Sequence, residues 1–228
     1  MSYFLSKEES NFYEDEGFLV RENQFSINEV NSLRDALERA VNKAEEKASS
    51  GKAYYLDRKK FVDVDYMTLQ YEPQSKDNIL KVIEPAHFLD KELYSLTQDT
   101  RITDPIRSIL KEDEISLWTD KLNLKRPGRG SGFGWHQDSP YWVHDSNNVD
   151  LLPNVYLSLD NADENNGCFR VIRASHKEGC LPGTSNGTQL GGFYTDPNYF
   201  NETDAVNFNI KAGSLVFFNQ HIVHGSGP

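Results

Sequence analysis

The sequence predicts a mainly β fold with flanking N-terminal helices, a helix-decorated β-sandwich or jelly roll of the α+β kind. Helical periodicity is confined to the first half of the chain. From Ile115 onward, short runs of β-branched and aromatic residues are separated by Gly, Asn and Pro, the pattern of many short strands. The chain of 228 residues shows no internal repeat and no linker, so one domain spanning 1–228 is expected, with a helical part to about 114 and a jelly-roll core over about 115–228.

Taken in order, Gly17-Phe18-Leu19-Val20 is a short apolar segment. Ser26 then stands as an N-cap with Glu29 three residues on, and Val30, Leu33, Leu37, Ala40, Val41 and Ala44 repeat at helical spacing. This helix should run to about Ala48 and stop at Ser49-Ser50-Gly51. Phe61 to Tyr71 reads as one strand and Glu84 to His87 as a turn. Asp90 to Thr97 and Asp104 to Leu110 read as short helices, and Ser116 to Lys125 as a strand. Pro127 to Gly134 holds four glycines and reads as a flexible loop. Further strands are expected at Val155–Leu159, Cys168–Ile172, Val206–Ile210 and Ser214–Phe218. The polar stretch Lys177–Phe200 reads as a functional or mobile loop.

Composition narrows the partners. Hydrophobic residues make up 37% of the chain and aromatic residues 12%, a globular balance. The net charge of −11 should repel nucleic acid and anionic membranes. No apolar run approaches the roughly 18 residues of a membrane span, and the N-terminus lacks a signal-peptide pattern. Two cysteines, Cys168 and Cys180, cannot build a disulfide framework, which suits a cytoplasmic protein with reduced thiols.

The stretch that points to chemistry is Trp135-His136-Gln137-Asp138. In an extended segment His136 and Asp138 face the same side, so one imidazole and one carboxylate can reach a single metal ion. A second histidine from a distant strand would complete a two-histidine, one-carboxylate face with open positions, a set suited to non-haem Fe(II) and O2. His221 and His224, both after the strand Ser214–Phe218, are the local candidates, with His144 as a third. Gln137, between the two ligands, is placed to brace them. Arg170 and Arg173 read as surface ion-pair residues in preference to substrate-facing ones, and His176 as structural.

Three blocks, in order and spacing, resemble the phytanoyl-CoA dioxygenase (PhyH-like) family of Fe(II)- and 2-oxoglutarate-dependent oxygenases. The first is Lys125-Arg126-Pro127-Gly128 followed by Trp135-His136-Gln137-Asp138-Ser139-Pro140-Tyr141-Trp142. The second joins Leu157-Ser158-Leu159-Asp160 and Glu164-Asn165-Asn166-Gly167-Cys168 to Val171-Ile172-Arg173-Ala174-Ser175-His176. The third is Ala212-Gly213-Ser214-Leu215-Val216-Phe217-Phe218 with His224-Gly225-Ser226-Gly227-Pro228. The resemblance covers the chain from about Glu16 and implies a double-stranded β-helix, the cupin-like jelly roll. It implies iron held by His136, Asp138 and His224, with 2-oxoglutarate converted to succinate and CO2 as an unactivated C–H is hydroxylated. Halogenating relatives carry a small residue where Asp138 stands, so the carboxylate implies hydroxylation.

For 2-oxoglutarate the alignment offers Asn154, 18 residues after His136, and Lys121. The loops Ser139–Pro153 and Lys177–Thr203 would shape the substrate pocket, with Tyr141, Trp142 and Phe193 as apolar walls. The family's anchoring arginine falls beyond Pro228, so the resemblance implies a C-terminally truncated sequence. That gap supports a second reading, a catalytically silent jelly-roll binding or regulatory protein; a third is a cupin-type metal enzyme that uses no keto acid. Relatives act on amino acids, alkaloids, terpenoids and acyl thioesters, so a small organic substrate is implied and no particular one; the oligomeric state is not legible.

Overall fold

The computed structural model describes residues 2–73 and 77–228. In chain order its helices and strands are α1 (Lys7–Glu16), β1 (Phe18–Arg21), α2 (Ile27–Ala48), β2 (Lys52–Leu56), β3 (Lys59–Val64), β4 (Met67–Tyr71) and β5 (Leu80–Glu84). There follow α3 (Lys91–Leu96), α4 (Thr100–Leu110), β6 (Leu122–Asn123), β7 (Phe133–His136), α5 (Ser139–Trp142) and β8 (Asn154–Leu157). The chain ends with β9 (Phe169–Ile172), β10 (Ala205–Asn207), β11 (Leu215–Phe218) and β12 (His224–Ser226). Contacts divide it into two compact units. One holds residues 1–27, 100–115 and 132–227; the other holds 28–99, 116–131 and 228.

The first unit is a β-sandwich. Its three-stranded sheet has the order β1-β11-β8 and its four-stranded sheet the order β10-β9-β12-β7. All pairings are antiparallel, and the strand crossovers are those of a jelly roll. The two inner faces meet in an aromatic core. Phe18 lies 5.0 Å from Phe208, and Phe169 of β9 lies 5.0 Å from Phe218 of β11, with Val171, Val216 and Ile222 filling between them. Burying each such ring contributes about 2–3 kcal/mol, so the paired sheets and not the short ladders hold this layer. α1 opens the unit on a full capping box: Ser6 Oγ accepts from Glu9 N, and the Glu9 carboxylate accepts from Ser6 N. It ends at Gly17, whose φ of 81° is a left-handed conformation that favours glycine.

The second unit is a five-stranded antiparallel meander, β2-β3-β4-β5-β6, with α2 packed on it. The stripe Ala36, Ala40, Val41 and Ala44 is small enough to bring α2 close to Val62, Val64, Met67 and Leu69 of β3 and β4. Asp90 caps α3 by accepting from Glu92 N and takes a two-point contact from Arg39, which holds its carboxyl below the usual range.

Several expectations need correction. Residues 1–114 are not simply helical, since five strands lie there. The expected strand Phe61–Tyr71 is a hairpin, broken where Asp65 takes a φ of 52°. The expected strand Ser116–Lys125 shrinks to Leu122–Asn123, because only those two residues find ladder partners, Ile83 and Val82.

Candidate metal centre

The metal motif sits where β7 ends. His136 is the last residue of β7, and its register partner across the antiparallel pair is His224, the first residue of β12. Directly opposed residues share a face, and the two imidazole centroids are 4.1 Å apart. Asp138 reaches the same place by a different route from the one expected. It is not extended; at φ −80° and ψ −28° it begins the turn into α5, and its carboxylate makes no capping bond to that helix. Its Oδ2 lies 3.7 Å from His224 Nε2. One donor atom from each of the three side chains falls within 4.8 Å of the others, and no other such group of three His, Cys, Asp or Glu occurs among the described residues.

The hydrogen bonds at the back of the rings set their tautomers. His136 Nδ1 lies 2.7 Å from Gly134 O, and His224 Nδ1 lies 3.0 Å from Ile222 O. A carbonyl only accepts, so each Nδ1 carries the proton and each Nε2 keeps its lone pair for the site. Asp138 and His224 are buried and His136 is half-buried. Two imidazoles offering Nε2 lone pairs and one carboxylate make an anionic donor set that a divalent cation suits. The donor set therefore fits Fe(II) with positions left open.

The segment 136–139 is tied down on its other side. Gln220 O accepts from both Asp138 N and Ser139 N, at 3.2 and 3.1 Å. Gln137 is fully buried; its Nε2 donates to Gly179 O at 2.8 Å and to His221 O, and its Oε1 accepts from Leu181 N at 2.7 Å. Both amide hydrogens are engaged by main chain, which makes Gln137 a brace between the ligand segment and the long loop.

The other predicted residues are distributed as follows. His221 is not in the cluster; its Nε2 pairs with Asp150 at 2.6 Å. His144 is exposed after α5. Asn154 begins β8 opposite Phe218, whose ring is 5.1 Å from His224, and Asn154 Nδ2 is buried with no partner among the described residues. Tyr141 stacks on Phe193 at 4.3 Å and meets the His136 ring edge-on at 6.3 Å, while Trp142 is half-buried at the end of α5. Lys121 lies in the second unit, its Nζ 3.8 Å from Glu84. Arg173 makes the expected ion pair, with Glu16. Arg170 does not: its guanidinium stacks on the Trp135 ring at 4.2 Å. Gln220 is an addition of the structure, and nothing in the sequence marks it.

The family model for phytanoyl-CoA dioxygenase (PhyH) matches residues 13–228, running through both units. The chain belongs to the phytanoyl-CoA dioxygenase family. Dioxygenase chemistry dependent on Fe(II) and 2-oxoglutarate comes with that membership, and the donor set above suits it. Similar relatives include a probable alpha-ketoglutarate-dependent hypophosphite dioxygenase of Stutzerimonas stutzeri, 26% identical over 97% of this chain and 72% of the relative. An ectoine dioxygenase of Streptomyces coelicolor is 30% identical over 68% of this chain and 56% of its own length. Among solved structures, EctD from S. alaskensis with 2-oxoglutarate and 5-hydroxyectoine superposes with a TM-score of 0.72 at 23% identity, covering 98% of this chain and 70% of that one. The last likeness supports the jelly-roll fold. No helix among the described residues is long and apolar enough to cross a membrane.

Proposed function

We propose that His136, Asp138 and His224 hold one Fe(II) and that the protein hydroxylates an unactivated C–H of a small organic molecule. The observation that carries this reading is the convergence of the three donors with both histidine Nδ1 atoms tied to carbonyls. Bound iron supplies the activation of O2, coupled to decarboxylation of 2-oxoglutarate to succinate and CO2. The rest falls to the chain. The two carbonyls keep each Nε2 deprotonated and aimed, and Asp138 supplies the anionic ligand whose presence favours hydroxylation over halogenation. Asn154, with an unengaged buried N–H group on the strand beside Phe218, is placed to donate to a cosubstrate oxygen. Lys121 is a cosubstrate candidate on the family resemblance alone; its Nζ lies 3.8 Å from Glu84.

Tyr141 and Phe193, stacked on each other beside His136, are the apolar wall for the substrate, with Trp142 on the same short helix as Tyr141. We read residues 1–228 as one catalytic domain, since the family match runs across both units. Free Cys168 and Cys180 favour the cytoplasm, and the net charge of −11 disfavours nucleic acid as a partner. Succinate formation from 2-oxoglutarate with Fe(II) and O2 tests the reading. The wild type should produce succinate and Asp138→Ala none; equal yields from both would refute the assignment.

A further inference from the structure

The histidine pair has a support on the opposite face of its sheet. Neighbouring residues in a strand point to opposite faces, so Trp135, before His136, and Gly225, after His224, lie behind the site. Arg170 of β9 is the register partner of Gly225. Its guanidinium lies over the Trp135 ring, 4.2 Å from the centroid, and Phe200 lies against the same ring at 5.8 Å. Gly225 has no side chain to stand between them, and a Cβ there would come within 2.9 Å of Phe133 O.

Two facts make ordinary surface packing a poor account of this stack. Among the described residues Arg170 Nε and Trp135 Nε1 are buried without an acceptor and Arg170 has no ion pair, so attraction to a carboxylate does not place it. The ladder it backs is also weak: β12 has three residues, and its register with β7 shifts between His224 and Ser226.

We propose that Arg170 is a positioning residue. By lying across Gly225 onto Trp135 it clamps β9 to β7 behind His136 and His224 and fixes the separation of the two rings. This rests on reading those histidines as iron ligands. The test is anaerobic Fe(II) titration of the wild type, Arg170→Met and Arg170→Lys, with the melting temperature of each metal-free protein measured alongside. Arg170→Met keeps the aliphatic stem and loses the cation. Its Kd for Fe(II) should rise about tenfold, while its melting temperature stays within about 3 °C of the wild type. Arg170→Lys, which retains a cation over the ring, should recover to within about threefold. An unchanged Kd in Arg170→Met, or a loss of binding that only follows a collapse of its melting temperature, overturns the proposal. Failure of the wild type itself to bind Fe(II) would instead overturn the assignment of the ligands.

Discussion

Replacing Gln137 by glutamate changes one atom of a side chain that joins three main-chain groups. In the wild type Nε2 donates to Gly179 O and His221 O, and Oε1 accepts from Leu181 N. The ionised carboxylate of Gln137→Glu would keep the Leu181 bond and turn an anion toward two carbonyls. Two hydrogen bonds at about 1 kcal/mol each are lost, and at least one stranded carbonyl adds about 1–3 kcal/mol, so about 3–5 kcal/mol is expected at neutral pH. The loss should depend on pH. Burial and the two carbonyls raise the folded-state pKa of the introduced carboxyl above its unfolded value of about 4.3. Below that unfolded value the carboxyl is protonated in both states and can donate one bond, so the variant suffers least there. As pH rises through the folded pKa that stability is lost. Urea unfolding of the metal-free protein at several pH values, with Gln137→Met as a variant that cannot titrate, measures both effects. A Gln137→Glu penalty below about 1 kcal/mol, or one parallel to Gln137→Met at every pH, would refute the bracing role.

Gly17→Ala should destabilise by about 2–3 kcal/mol, from a left-handed φ of 81° and a new Cβ that would overlap the His176 ring. Much of that loss should disappear in a His176→Ala background, as read by a double-mutant cycle. Burial lowers the pKa of His176, whose Nε2 lies 3.0 Å from Glu14 O. Its stability contribution is therefore full above the unfolded value of about 6.5 and is lost as pH falls through the folded pKa. His176→Gln should flatten the acid side of the stability profile, and an identical profile would contradict this.

Strong local periodicity makes some elements legible. The helix expected from Ser26 to about Ala48 is found at Ile27–Ala48, because its apolar stripe sits on the sheet that it predicts. The strands expected around 155–159, 168–172 and 214–218 are found within a residue or two at each end. The hairpin β2-β3 escapes sequence reading because its turn uses Asp57 and Arg58, both at positive φ, where the sequence signal is normally Gly or Asn. α1 is also absent from the expected elements, although Ser6, Glu9 and Gly17 mark both of its ends.

At the site, chemistry is easier to read than geometry. His136 and Asp138 converge with His224, although the extended spacing that suggests it applies only as far as His136. Proximity in sequence does not separate His221 from His224; the cross-strand register and the Asp150 pair do. The roles of Gln220 and Arg170 depend on which strands become neighbours, which no local pattern encodes.

The most direct test of the account is anaerobic addition of Fe(II) and then 2-oxoglutarate, read by the visible charge-transfer band of the chelate. The account predicts a band saturating at one iron per chain, retained in His221→Ala and abolished in His224→Ala. A band that survives in His224→Ala and vanishes in His221→Ala, or a wild type that shows none, would contradict it.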